Sequence, residues 1–244
     1  MIISHKYKFI FARPMKTAGL SFETAVSNYC SAGDIVTRAN RDEDWIRKAL
    51  KAKRHRNDYT PDSKVRIRPH FPLKRIFDKG DNKGYIQEFT PELQAAMKSY
   101  RIISMTRNPW DKIRSLYYHQ LRDFKQSEGD KPFKVWCAIP AQESDRLLAK
   151  YVARDTRVTS KYEDKVDFWI RFTHLEEDIT EFENYYGMKG LYDMFDSYAF
   201  HVYGTNKRHV PLREWYENRN AMEIAEYIEE KYQWHINKFN YSYE

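Results

Sequence analysis

Residues 9–21 read Phe9-Ile10-Phe11-Ala12-Arg13-Pro14-Met15-Lys16-Thr17-Ala18-Gly19-Leu20-Ser21. An apolar run stops abruptly at a loop of small residues that carries one lysine and two hydroxyls. An amphipathic segment, Phe22 to Tyr29, follows at once. A strand, a tight loop and a helix in that order aim backbone N–H groups and a helix N-terminus at an anion. Lys16 adds a point charge, and Thr17 and Ser21 add hydroxyl donors. The stretch therefore reads as a phosphate-type cradle at the end of a buried strand. It is not a Walker A loop, whose lysine follows a second glycine; here Lys16 comes first and Gly19 lies three positions after it.

A second segment carries matching chemistry: Arg107-Asn108-Pro109-Trp110-Asp111-Lys112-Ile113-Arg114-Ser115-Leu116-Tyr117. A guanidinium and a hydroxyl suit a terminal phosphate. If the helix opens at Pro109, then Asn108, Asp111 or Lys112, and Ser115 lie along one face. Arg101 to Thr106 reads as a strand leading into it. In open α/β sheets ligands bind outside the carboxyl ends of strands, and both segments follow such an end. If the two strands are neighbours, their loops face one crevice.

Lys-Thr-Ala-Gly-x-Ser near the N-terminus resembles the 5′-phosphosulfate loop of the sulfotransferases, with Met15 standing between Pro14 and Lys16. The arginine followed eight positions later by a serine, Arg107 and Ser115, is similar to that family's 3′-phosphate motif. The two segments come in the family's order, 91 residues apart. The resemblance implies a P-loop NTPase-like sulfotransferase fold and the co-substrate 3′-phosphoadenosine 5′-phosphosulfate (PAPS), with adenosine 3′,5′-bisphosphate as product and no metal. It implies that Lys16 contacts the phosphosulfate and stabilises the leaving phosphate. As the S–O bond breaks, negative charge builds on the bridging oxygen, and a nearby ammonium lowers that barrier. Thr17, Ala18, Gly19, Leu20 and Ser21 would donate to the same group, and Arg107 and Ser115 would hold the 3′-phosphate.

Pro69-His70-Phe71-Pro72 is similar to a segment of the carbohydrate sulfotransferases whose histidine is the proposed base, with Pro69 in place of the expected glycine. Histidine's unperturbed pKa near 6.5 suits it to take a proton from an acceptor hydroxyl. Glu88 and Glu23 are the carboxylate alternatives. Asn206 to Pro211 would be a basic loop closing over the nucleotide, with Lys207 or Arg208 reaching the 3′-phosphate. The implied acceptor is a hydroxyl, on a carbohydrate in preference to another small molecule.

Size and composition set the bounds. A chain of 244 residues suggests one domain, 1–244, with 46–63 as a basic surface insertion. Hydrophobic residues make up 41% and charged residues 32%, and the mean hydropathy is −0.85. No apolar run approaches the ~20 residues of a membrane span, and Met1 to Lys8 lacks the apolar stretch of a signal peptide; the expected location is the cytoplasm. The two cysteines, Cys30 and Cys137, form no C-x-x-C pair, and the eight histidines no H-x-x-x-H pair. The expectation is no structural metal. A net charge of +7 suits an anionic ligand. Residues 46–57 hold six basic residues and no acid until Asp58; they read as a solvated helix face, with acceptor or polyanion binding as the alternative.

The remaining elements follow from periodicity and punctuation. Tyr7 to Ala12 reads as the first strand and Ser21 to Tyr29 as the helix after it, with Cys30 to Arg41 a loop. Asp44 to Lys53 has helical character and Lys64 to Arg68 alternates like a short strand. Pro91 to Tyr100 reads as a helix, Asn108 as the cap of a helix running to about Phe124, and Val166 to Phe172 as a third strand. Glu176 to Tyr186 reads as a helix ending at Gly187, Tyr203 to Trp215 as a loop, and Arg219 to Phe239 as a closing helix. Strands alternating with helices predict an α/β fold, a central mainly parallel sheet flanked by helices.

Two other functions compete. A P-loop nucleotide kinase requires a glycine before Lys16 and an acidic magnesium ligand at a strand end, neither of which the sequence supplies. A nucleic-acid-binding module would use the 46–57 tract and give Lys16 no role; without an aromatic recognition motif nucleic acid is the less favoured partner.

Overall fold

Phe9 to Ala12 and Arg101 to Thr106 alternate side chains between the two faces of a buried sheet, as strands must. Phe9, Phe11, Ile103 and Met105 pack on one face with Phe22, Ile170, Ile179 and Phe182. Ile10, Ala12 and Ile102 pack on the other with Met1, Ile3, Ile35 and Met97. Two-sided burial explains why Phe9 to Ala12 is apolar throughout; in the second strand Ser104 and Thr106 are polar yet buried, and Ser104 donates its hydroxyl to the Ala12 carbonyl at 2.9 Å.

The computed structural model describes residues 1–38, 47–48, 51–58, 67, 69–70, 72–73, 91–116, 118, 159, 162–202, 210–218 and 221–244. They belong to two compact units. One comprises Met1–Pro14, Ala18–Thr106 and Val158–Thr205; the other comprises Met15–Thr17, Arg107–Arg157 and Asn206–Glu244.

The first unit holds the sheet: β1 (Ile2–Ser4), β2 (Phe9–Ala12), β3 (Ile35–Val36), β4 (Arg101–Thr106) and β5 (Phe168–Arg171), in the order β3-β1-β2-β4-β5. β2 runs parallel to β4 with Ala12 opposite Ser104, and β4 parallel to β5. The two motif-bearing strands, β2 and β4, are neighbours. The expected mainly parallel sheet is not found: β1 is antiparallel to both β2 and β3, so the sheet is mixed. The cause is local. Residues 5–8 make a tight turn that folds β1 straight back on β2, and a short turn cannot join parallel strands. Asp34 holds that turn. Its Oδ1 accepts the N–H groups of His5 and Lys6 at 2.7 and 3.1 Å, and its Oδ2 accepts the Ser4 hydroxyl and the Ser31 N–H.

β1 precedes the expected first strand, in a stretch given no element, and β3 lies within Cys30–Arg41, expected to be a loop. They are three and two residues long, too short for a periodic signal, and exist through their pairing with each other. Around the sheet are α1 (Gly19–Val26), α2 (Pro91–Lys98), α4 (Leu175–Tyr186) and α5 (Leu191–Val202). α4 ends at Gly187, whose φ of 64° is the left-handed conformation that glycine adopts without a Cβ penalty. α5 was not expected; its first residues, Leu191-Tyr192-Asp193-Met194-Phe195, are apolar on more than one side and give little amphipathic contrast.

The second unit is helical: α3 (109–116), α6 (Leu212–Glu217) and α7 (Met222–Phe239). Trp110, Ile113, Leu116, Trp215, Tyr216, Ile224 and Ile228 form its core. Trp110 donates from Nε1 to the Ala225 carbonyl at 3.0 Å, and Tyr216 donates its hydroxyl to the Trp110 carbonyl at 2.9 Å. α6 corrects the expected loop at Tyr203–Trp215: it starts directly after Pro211, where proline's fixed φ suits a helix entry, and buries Leu212, Trp215 and Tyr216. Among the described residues no helix is long and apolar enough to cross a membrane.

Candidate active site

In the first unit, β2 delivers the chain to Arg13 and Pro14, and the chain re-enters at Ala18 as the N-cap of α1. No side chain caps this helix and no acidic residue stands in its first turn, so its first N–H groups have no side-chain acceptor there. Gly19, Ser21 and Glu23 are buried in α1. The positive φ angles of the loop fall on Lys16 (56°) and Ala18 (63°), not on Gly19. A left-handed conformation costs a non-glycine residue about 1–2 kcal/mol. Such strain clusters at ligand clamps.

Glu23, two residues past Ser21, is completely buried. Its carboxylate meets the Met1 ammonium at 2.6 Å and the Arg13 and Arg47 guanidinia at 3.3 Å each. Burial pushes this carboxyl up, but Arg13, the ammonium and Arg47 together outweigh it and hold the group below its ordinary value. Glu23 is thus a buried structural anion, which removes it as an alternative base. The same cluster changes the reading of the basic tract. Arg47 is 1% exposed, and Arg56 donates to the Cys30, Ser31 and Ser27 carbonyls. These two residues bind the protein's interior and backbone rather than lining a solvated face.

His70 is half-buried, with Nδ1 2.7 Å from the Arg13 carbonyl oxygen. A carbonyl only accepts, so the proton is on Nδ1 and Nε2 is the basic nitrogen of the neutral ring. That tautomer leaves Nε2 able to take a proton, and the acceptor of Nδ1–H belongs to the residue whose side chain is tied to Glu23.

In the second unit Lys16 and Thr17 lie with Arg107. Arg107 Nη1 donates to the Lys16 carbonyl at 2.9 Å. Its Nε and Nη2 both donate to Asp111 Oδ2, at 2.7 and 2.6 Å. Asp111 Oδ1 in turn accepts from Arg114 Nε and Nη2 at 3.1 and 2.6 Å, and Arg114 Nη1 donates to the Val210 carbonyl at 2.8 Å. One carboxylate therefore orients two guanidinia. Burial pushes Asp111 up, yet the two arginines leave it below its ordinary value; burial lowers Arg107, and Asp111 opposes that. Asn108 caps α3 as expected, its Oδ1 accepting the N–H groups of Trp110 and Asp111 at 3.1 and 3.3 Å. Its Nδ2 also donates to the Ser242 carbonyl at 2.7 Å.

Of the expected site residues, Lys16 and Arg107 are brought together, and Ser115 is half-buried on α3. Lys207, Arg208 and Glu88 lie outside the described residues, as do Phe71 and Cys137. Asp111 and Arg114 were not singled out, although their spacing from Arg107 at i+4 and from each other at i+3 was the available signal. Among the described residues no group of three His, Cys, Asp or Glu side chains is placed to hold a metal ion. Cys30 is buried, and burial pushes its thiol up to about 12, consistent with an inert thiol. Comparison with protein-family models, curated proteins and solved structures returns no match.

Proposed function

We propose that this protein is a sulfotransferase that moves a sulfuryl group from PAPS to an acceptor hydroxyl, on a carbohydrate or another small molecule, in the cytoplasm. The observation that carries the reading is the hydrogen bond from Arg107 to the Lys16 carbonyl. It joins, inside one compact unit, the two segments that resemble the family's phosphate motifs. Parallel pairing of β2 with β4, the α1 N-terminus without a side-chain cap and the strained Lys16 and Ala18 are further support.

In this reading Lys16 stabilises charge on the leaving phosphate, and the residues from Thr17 to Ser21 donate to the phosphosulfate. Arg107, presented by Asp111, and Ser115 hold the 3′-phosphate, with Lys207 or Arg208 completing that pocket. His70, protonated on Nδ1, takes the acceptor's proton on Nε2. The transfer is in-line, and positioning and charge stabilisation do nearly all of the catalysis, as in phosphoryl transfer.

The test is calorimetric binding of adenosine 3′,5′-bisphosphate, with magnesium-ATP as the comparison. Arg107→Ala should weaken the bisphosphate by roughly thirty- to a thousand-fold, on the order of 2–4 kcal/mol. No binding of the bisphosphate, or a preference for magnesium-ATP, sinks the reading in favour of a nucleotide kinase.

A further inference from the structure

Asp111 stands between two guanidinia that are not equivalent. Arg107 reaches Oδ2 from the turn that precedes α3. Arg114 reaches Oδ1 from within α3, through Nε at 3.1 Å and Nη2 at 2.6 Å. The remaining nitrogen of Arg114, Nη1, donates to the Val210 carbonyl at 2.8 Å. Val210 directly precedes Pro211, the N-cap of α6. All these residues belong to the second unit. One side chain thus ties the motif helix to the entry of α6 and occupies one side of the carboxylate that holds Arg107.

Two physical effects follow. The first is geometric. An aspartate's last torsion is soft, so a carboxylate with one unoccupied oxygen can turn and accept a guanidinium through either oxygen or both. With Oδ1 taken by a residue of the same helix, Arg107 is confined to Oδ2. The helix itself is anchored, with Trp110 and Ile113 buried and Asn108 as its cap. The second effect is electrostatic. Arg107 and Asp111 alone make a neutral pair, whereas Arg114 leaves the trio with a net positive charge. Arg107, Asp111 and Arg114 are only 15, 23 and 20% exposed, so that charge is screened less than one on open surface. A phosphate dianion is drawn to the trio and not to the neutral pair.

We propose that Arg114 is a positioning residue that gives the site its selectivity for a 3′-phosphate over a 3′-hydroxyl. It acts through Asp111, fixing where the Arg107 guanidinium stands and restoring the positive charge that Asp111 cancels. This role, which rests on the sulfotransferase reading, falls to a residue outside the arginine–serine pair of the motif. The three acceptor contacts of its guanidinium assign it.

The test is calorimetry on the full chain with two probes, adenosine 3′,5′-bisphosphate and adenosine 5′-phosphate, which differ only in the 3′-phosphate. Arg114→Gln should weaken the bisphosphate roughly tenfold or more, as expected for lost hydrogen bonds to a charged group. The 5′-phosphate should stay within about threefold, so that the ratio of the two affinities collapses. Its retained binding also shows that the variant is folded. Arg114→Lys keeps the charge but has one nitrogen for two acceptors. It should still lose about threefold or more of the ratio, and it carries the test if the glutamine variant does not fold. An unchanged ratio in either folded variant overturns the proposal and leaves the sulfotransferase reading standing. Equal weakening of both nucleotides makes Arg114 a structural residue and overturns it as well. A wild type that binds the bisphosphate no better than the 5′-phosphate sinks the sulfotransferase reading, and this role with it.

Discussion

The Arg107 guanidinium donates to the Lys16 carbonyl across 91 residues of sequence, while its other edge is held by Asp111. Both bonds depend on a planar fork, which lysine lacks. Arg107→Lys keeps the charge and loses the geometry. Under the sulfotransferase reading we expect at least a tenfold loss in affinity for adenosine 3′,5′-bisphosphate, read by calorimetry. Unchanged affinity would mean that charge alone suffices and that the contact with the loop is incidental.

Asp111 orients two arginines, so Asp111→Asn should loosen both. The expected cost is about 1.5–3 kcal/mol in urea unfolding at pH 7, the range for hydrogen bonds to charged groups. Its folded-state pKa is depressed, so its contribution is present above the ordinary carboxylate value and is lost as pH falls through the folded one. The gap between wild type and variant should therefore narrow as pH falls below about 4. A gap that widens in acid contradicts the assignment.

Glu23 neutralises Arg13, Arg47 and the Met1 ammonium in a completely buried site. Removing one partner of a buried ion cluster leaves uncompensated charge. Glu23→Gln should cost roughly 3–5 kcal/mol, measured by denaturant titration. Its carboxyl is also depressed, so this contribution too is complete above the ordinary value of 4.5 and fades below it. A loss under 1 kcal/mol would show the cluster to be marginal.

His70→Asn offers a side-chain N–H near the position of Nδ1, and so keeps a donor for the Arg13 carbonyl while deleting the basic nitrogen. Under the sulfotransferase reading, sulfuryl transfer should fall by about 10²–10⁴-fold, the usual contribution of a general base, with bisphosphate affinity unchanged within threefold. Full activity in this variant would move the base elsewhere. Loss of binding would make His70 a structural residue.

The sequence displays what is local. Arg101 to Thr106 is a strand with the bounds read from its pattern, and Asn108 and Pro109 announce the next helix, because caps and apolar alternation are written in adjacent residues. β1 and β3 are not local objects. Ile35 and Val36 form a strand because Ile2 and Ile3 lie beside them, and Asp34, which resembles ordinary turn chemistry, is what holds the arrangement. The site divides the same way. Lys16 and Arg107 stand out by residue type and spacing, whereas the proton position on His70 follows from a carbonyl 57 residues away. The role of Glu23 follows from three cations that spacing does not connect.

The mixed sheet has a consequence for how the chain finds its structure. β3, β1 and β2 close among residues 2–36, whereas β2 meets β4 across some ninety residues and β4 meets β5 across sixty-five. Short-range closures cost less chain entropy and form sooner than long-range ones. The antiparallel triplet should therefore form first and serve as the template on which β4 docks. In native-state hydrogen exchange, Ile3, Ile10 and Phe11 should then be among the last amides to open. The strand that launches the loop would be set before the partner segment bearing Arg107 arrives, so that folding, like the proposed binding, runs through the junction of these two segments.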